Sequence, residues 1–175
     1  MKAVVRKLEK IPMGLDTITN AAPKNTRVVV YDRVSGNRKQ FFKGADNVIC
    51  LYQMHNDAGR PTEGTGHFAL IMRDPKTQKV SYFSSYGLDC EAELAATHSK
   101  GKLLNILGNT YKWSRTPLQS KRNTATCGLW CLARAYLSKL SNDKFAKLMT
   151  GRFNASTPDD LVSVMTLILV HTELE

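Results

Sequence analysis

At 175 residues, with 42% hydrophobic and 23% charged side chains, the chain is long enough to bury a core, which excludes intrinsic disorder as its main state. No apolar run, Leu167 to Val170 within Leu161 to His171 included, comes near the ~18 to 20 residues of a membrane span. The start Met1-Lys2-Ala3-Val4-Val5-Arg6-Lys7 carries charge where a signal peptide needs its apolar stretch. The expectation is an intracellular protein, not secreted, with no membrane partner. The four cysteines (Cys50, Cys90, Cys127, Cys131) contain no CxxC spacing, so a reducing compartment without structural disulfides or zinc fits them best.

The net charge of +10 is unevenly spread. Residues 1 to 45 hold ten basic and three acidic side chains, net +7, leaving +3 for the rest. Such a balance points either to a polyanionic partner, nonspecific DNA or RNA, or to a solvated basic surface. Lys2, Arg6, Lys7, Lys10, Arg38, Lys39 and Lys43 are the residues that would carry it.

No repeat, low-complexity tract or linker divides the chain, so residues 1–175 read as one domain: a basic segment over 1–45, a central region over 48–140 and C-terminal helices over 141–175. Residues 27–31 and 48–54 are β-prone runs bounded by Gly and Asn. The polar, glycine-rich stretch 55–66 reads as a loop that delivers the chain into a strand from His67 to Met72. Asp74-Pro75-Lys76-Thr77 supplies turn chemistry and Lys79 to Phe83 the next strand, so 67–83 is a hairpin ending in Ser84-Ser85-Tyr86-Gly87. Short helices follow over Asp89–His98 and Lys102–Leu107, then a strand over Thr110–Ser114. Leu129, Leu132, Ala133, Tyr136 and Leu140 fall at helical spacing behind Thr126, which predicts a helix from Cys127 to about Leu140 with Thr126 as its cap. Helices over Lys144–Thr150 and Pro158–His171 complete the chain, the latter capped by Thr157, with Asp159 and Asp160 complementing its dipole. Strands first and helices later imply α+β.

Cys127 opens the strongest helix and is followed by Gly128. A helix N-terminus favours thiolate over thiol, and glycine lets another chain approach. The alternative is a small apolar residue facing the core, which is how Cys131, among Leu129, Trp130 and Leu132, is better explained. A thiolate nucleophile needs a histidine brought to it by the fold. Of His55, His67, His98 and His171, His67 stands out because it begins an apolar strand directly after Gly64-Thr65-Gly66; the alternative is a structural histidine. Gln119 lies upstream of Cys127 in a segment that could fold back over the helix start, where its side-chain N–H would join the Cys127 backbone N–H as an oxyanion donor.

In this order, His67-Phe68, then Tyr82-Phe83-Ser84-Ser85-Tyr86-Gly87, then Gln119 and Cys127-Gly128-Leu129-Trp130-Cys131-Leu132 resemble the adenovirus-protease and Ulp1-like cysteine peptidases, over residues 48 to 140. The resemblance implies a papain-like α+β fold of the adenain/Ulp1 type: a central mixed sheet packed by helices, with the nucleophile at a helix N-terminus. It implies catalysis by Cys127 as nucleophile, His67 as general base and acid, and Gln119 as oxyanion residue, without a cofactor or metal. Three departures stand out. Phe68 replaces the family's tryptophan, Gln119 and Cys127 are eight residues apart, and Ser84 occupies the place of the family's acidic residue. Ser84 could hold the imidazole by a hydrogen bond without a charge, or Asp89 could substitute if the loop curls back; an inactive relative would be expected to have lost its nucleophile.

The function implied is a cysteine endopeptidase that processes viral capsid or other precursor polypeptides, working as a monomer in a virion or in the host cytoplasm or nucleus. The rivals are an isopeptidase for ubiquitin-like proteins and a noncatalytic nucleic-acid-binding virion protein.

Overall fold

The structure, a computed structural model, describes residues 13–56, 58–119, 125–151 and 157–172. Five strands form one sheet: β1 (Thr26–Val30), β2 (Asn47–His55), β3 (Pro61–Arg73), β4 (Val80–Phe83) and β5 (Lys112–Trp113). Their spatial order equals their chain order. β2, β3 and β4 are an antiparallel meander, while β1 and β5 add in parallel at the two edges. A parallel neighbour needs a crossover rather than a turn. One crossover carries a 3₁₀ turn (Tyr31–Arg33) and the single-turn α2 (Arg38–Phe41); the other carries α3 (Cys90–Ala96) and α4 (Lys102–Leu107). The remaining helices are α1 (Leu15–Ala21), α5 (Cys127–Tyr136), α6 (Asn142–Thr150) and α7 (Pro158–Thr172). The architecture is α+β, with a mixed sheet packed by helices.

Alternation along the central strands sorts the core into two layers. Ile49, Phe68, Leu70, Met72 and Phe83 face one side, against Ile18 of α1, Trp130 and Leu132 of α5, Phe145 of α6 and Val162 of α7. Val48, Cys50, Tyr52, Ala69, Ile71 and Tyr82 face the other, against Phe41, Leu94, Leu103 and Ile106 of α2, α3 and α4. Burial on both faces is why these strands read as unbroken apolar runs in the sequence. α5 is enclosed nearly all round: Trp130 is fully buried, with its Nε1–H donating to Asp159 Oδ1 at 2.9 Å. Arg134 is also buried, and its guanidinium donates to Asn142 Oδ1 and to the carbonyls of Leu137 and Leu140, tying off the helix C-terminus.

Most of the expected elements are present, with instructive differences. β3 begins at Pro61 rather than His67, because β2 runs on to His55 and offers a ladder that reaches Gln53↔Gly66 and, past a register shift, His55↔Pro61. Ladder hydrogen bonds need only backbone, so a partner strand overrides a glycine-rich loop signal. α5 stops at Tyr136 instead of Leu140. Thr126 does not cap it; its hydroxyl donates instead to Asp159 Oδ1 at 2.5 Å, while Thr157 does accept from the Asp160 N–H at 3.1 Å. α1 and α2 were not expected from the pattern. All four cysteines are free thiols. Among the described residues no helix is long and apolar enough to cross a membrane. Lys2, Arg6, Lys7 and Lys10 lie outside the described residues, whereas Lys39 and Lys43 are exposed on and just after α2 and the Arg38 guanidinium is engaged by the Gln78 carbonyl.

Gly128 sets how closely α5 approaches α1 and β3. A Cβ there would lie 2.6 Å from Cδ1 of the fully buried Ile18 and 3.5 Å from Phe68 Cδ2. Gly128→Ala should therefore cost about 1 to 3 kcal/mol of stability by overpacking. Ile18→Val removes Cδ1, so the double variant should lose less than the sum of the two single losses in thermal or denaturant melts. Strict additivity would disprove the contact.

Candidate active site

His67 sits on β3 opposite Tyr52, on the same strand face as Ala69 and Ile71 and therefore on the side of the sheet that α3 covers. α3 is started by Asp89, whose Oδ1 accepts the Ala92 N–H at 2.8 Å. From that cap, Cys90, Glu93, Leu94 and Thr97 fall on the buried side at helical spacing. Glu93, only 2% exposed, thereby delivers its carboxylate to the histidine: Oε2 lies 3.3 Å from His67 Nε2. The other carboxylate oxygen, Oε1, accepts the Ser84 hydroxyl, which also lies 3.5 Å from His67 Nε2 and accepts the Tyr86 N–H at 3.2 Å. The Tyr86 ring stacks on the imidazole, centroids 4.7 Å apart and planes within 24°.

Cys127 arrives from the other side of the sheet as the first residue of α5. Burial alone would hold its thiol neutral, but a hydrogen bond to His67, the imidazolium charge and the backbone N–H groups of Phe68 and Gly128 bring it below the ordinary thiol value. For His67, burial alone would depress the pKa; hydrogen bonds to Cys127 and Glu93, with their negative charges, raise it to about 9. Both displacements favour the thiolate–imidazolium pair, with Nε2 committed to Glu93 and Nδ1 left as the ring nitrogen for Cys127. The other cysteines move the opposite way: burial drives Cys50 and Cys131 up and Cys90 up to about 12, which keeps them inert.

Gln119 is buried, and its Oε1 accepts the Ser85 hydroxyl at 2.7 Å. The structure thus gathers Cys127, His67 and Ser84, and ties Gln119 to the residue that follows Ser84. Asp89 is not gathered, because its carboxylate is spent on the α3 cap. The carboxylate at the histidine is Glu93, four residues on, which the sequence analysis did not single out. One signal pointed to it: a glutamate on the same helical face as Cys90 and Leu94 is a buried charge in need of a cationic partner. His55 is engaged elsewhere, 2.9 Å from Asp32 Oδ2, and His98 is exposed with φ +54°. Among the described residues no three His, Cys, Asp or Glu side chains group to hold a metal.

No family model and no curated protein matches the chain. Among solved structures it is similar to the ASFV pS273R protease, at 18% identity and a TM-score of 0.44, over 92% of this chain and 72% of that one. A selenomethionine form of that protease gives 17% and 0.42, over 90% and 70%. The C-terminal Ulp1 protease domain in complex with SMT3, the yeast ortholog of SUMO, gives 12% and 0.38, over 100% and 78%.

The lowered thiol predicts selective alkylation. Iodoacetamide at near-neutral pH should label Cys127 well ahead of Cys50, Cys90 and Cys131, with a midpoint below pH 9. Glu93→Gln removes an anion that favours the imidazolium and so weakens the partner of the thiolate. Its labelling midpoint should move to higher pH, by about one unit for one hydrogen-bonded charge; an unmoved midpoint would show that Glu93 is not coupled to the pair.

Proposed function

We propose that the chain is a cysteine peptidase in which Cys127 is the nucleophile, His67 the general base and acid, Glu93 the carboxylate that orients and charges the imidazole, and Gln119 an oxyanion donor. The observation that carries this reading is the Cys127–His67–Glu93 constellation, with the cysteine opening a helix. The thiolate attacks the scissile carbonyl carbon, and the electron pair of the C=O bond moves to oxygen, where the Cys127 backbone N–H and the Gln119 carboxamide would receive it. The imidazolium gives its proton to the leaving amine as the C–N bond breaks, leaving a thioester. Water, deprotonated by the now neutral His67, attacks that thioester, and collapse of the second oxyanion releases the acid and restores the ion pair. Glu93 acts through the ring it holds.

The substrate we propose is a polypeptide precursor of the kind found in a virus particle, cut inside the particle or the infected cell. The charge of +10 favours it, since a basic enzyme is retained next to packaged nucleic acid. A ubiquitin-like protein is the competing substrate; electrophilic probes built on ubiquitin-like proteins would capture Cys127 in that case and not in the first.

Activity on a fluorogenic peptide library tests the assignment. Cys127→Ala should abolish cleavage with the fold intact, while Cys131→Ala stays within a few-fold. Glu93→Ala should lower kcat/KM by roughly 10², the low end for a disturbed acid–base group. Ser84→Asp alone should also be harmful, because it sets a second carboxylate against the buried Glu93. Combined with Glu93→Ala, the same substitution returns one carboxylate to the histidine and should recover at least tenfold over Glu93→Ala. Simple addition of the two losses would remove Glu93 from its assigned role.

A further inference from the structure

Ser84 and Ser85 follow β4 as consecutive residues that serve different partners: Ser84 meets Glu93 and His67, whereas Ser85 meets Gln119. We propose that Ser85 is the positioning residue for the Gln119 carboxamide, fixing its oxygen end so that its nitrogen end is presented to the reacting carbonyl; this rests on the peptidase reading above.

A carboxamide has two ends of nearly equal shape and opposite polarity. Only the N–H₂ end can stabilise an oxyanion, and an oxygen in its place would repel it. Ser85 holds the oxygen end by donating to Oε1 at 2.7 Å, from a hydroxyl that is itself fully buried. It also holds the backbone, because its carbonyl accepts both the Leu118 N–H at 2.8 Å and the Gln119 N–H at 3.0 Å. Residue 119 is thus gripped at main chain and side chain by one residue far from it in sequence.

Gly87 brings that grip into place. It adopts φ +72°, and a Cβ there would lie 2.8 Å from Pro117 N and 3.0 Å from Arg115 O, so the 84–87 turn lies flat against 115–117. Only glycine tolerates both the left-handed backbone and the approach. The turn acts as a template, with one serine for the acid side of the site and the next for the oxyanion side.

Two readouts separate this role from a merely structural one. Alkylation of Cys127 reports the thiolate–imidazolium pair and needs no oxyanion donor; kcat and KM on a peptide substrate report both. Ser85→Ala should lower kcat tenfold or more, approaching the ~10² to 10³ of a lost oxyanion donor. KM should stay within about threefold and the alkylation midpoint should not move. In a Gln119→Ala background the same substitution should cost nothing further, since the group it positions is gone. Ser85→Thr, which keeps the hydroxyl, should recover activity over Ser85→Ala. Should Ser85→Ala fail to accumulate folded, Ser85→Cys, of similar shape but a weak donor, carries the same comparison.

An additive loss in the Gln119→Ala background, or a shifted alkylation midpoint, would overturn the proposal while leaving the peptidase reading intact. A Gln119→Ala loss below tenfold would likewise overturn the proposal alone, since the Cys127–His67–Glu93 constellation would still stand, whereas absence of peptide cleavage by the parent protein would overturn both.

Discussion

One imidazole must be reached from both faces of a sheet, and the architecture follows from that requirement. His67 points to the layer of α2, α3 and α4, where Glu93 waits on α3, yet its other partner, Cys127, begins a helix packed on the opposite layer. The two can meet at His67 only if α5 reaches its N-terminus at that point of β3, which the side-chain-free contact of Gly128 with Ile18 and Phe68 permits. The buried Asp159 secures the same turn from α7 by accepting from both Thr126 and Trp130, the residues just before Cys127 and one turn after it. Packing and chemistry are the same constraint here: moving α5 to fill a cavity or relieve a clash moves the sulfur.

Placing a thiolate, an imidazolium and a carboxylate together, with His67 and Glu93 buried and Cys127 only partly exposed, incurs a desolvation cost of several kcal/mol per ion unless each is paired and hydrogen-bonded. The site meets that condition by giving every ion more than one partner. Cys127 has the imidazole and two backbone N–H groups, Glu93 has the imidazole and the Ser84 hydroxyl, and His67 has an anion on each side. Low dielectric then strengthens the pairs it would otherwise penalise. The stacked Tyr86 ring shields one face of the imidazole, which keeps water from replacing any of these contacts from that side.

Much of this was legible in the sequence, and what was not has a physical reason. The sheet strands and the helix behind Cys127 announced themselves by apolar runs and helical spacing, and His67, Gln119 and Cys127 by order and by the chemistry each could do, whereas Ser84 stood out only through the family resemblance. Glycine-rich 61–66 read as loop because a ladder partner leaves no trace in a strand's own composition. Asp89 drew attention as the nearest carboxylate in sequence, although an Asp at a helix start is more simply a cap. Glu93 escaped because its significance lies in which side of a seven-residue helix it falls on and in what that side covers, both decided by the crossover that α3 completes. Ser85 escaped for a related reason, since nothing local pairs it with a residue beyond two further helices and a strand.

The hydroxyl at position 84 is explained by the carboxylate that came to it. A buried carboxylate offers about four acceptor sites, and a single imidazole N–H satisfies one of them. With Glu93 supplied from α3, an apolar residue at 84 would strand Oε1 without a donor, at a cost of about 1 to 3 kcal/mol for a buried acceptor left unmet, and more for a charged one. An acidic residue at 84 would set two carboxylates against each other in the same dry space. A small donor fits both the volume and the polarity, and serine also accepts the Tyr86 N–H, so it holds the stacked ring in register with the imidazole. Ser84 at the end of β4 is therefore the small donor that the buried Glu93 carboxylate, delivered by the following helix, requires.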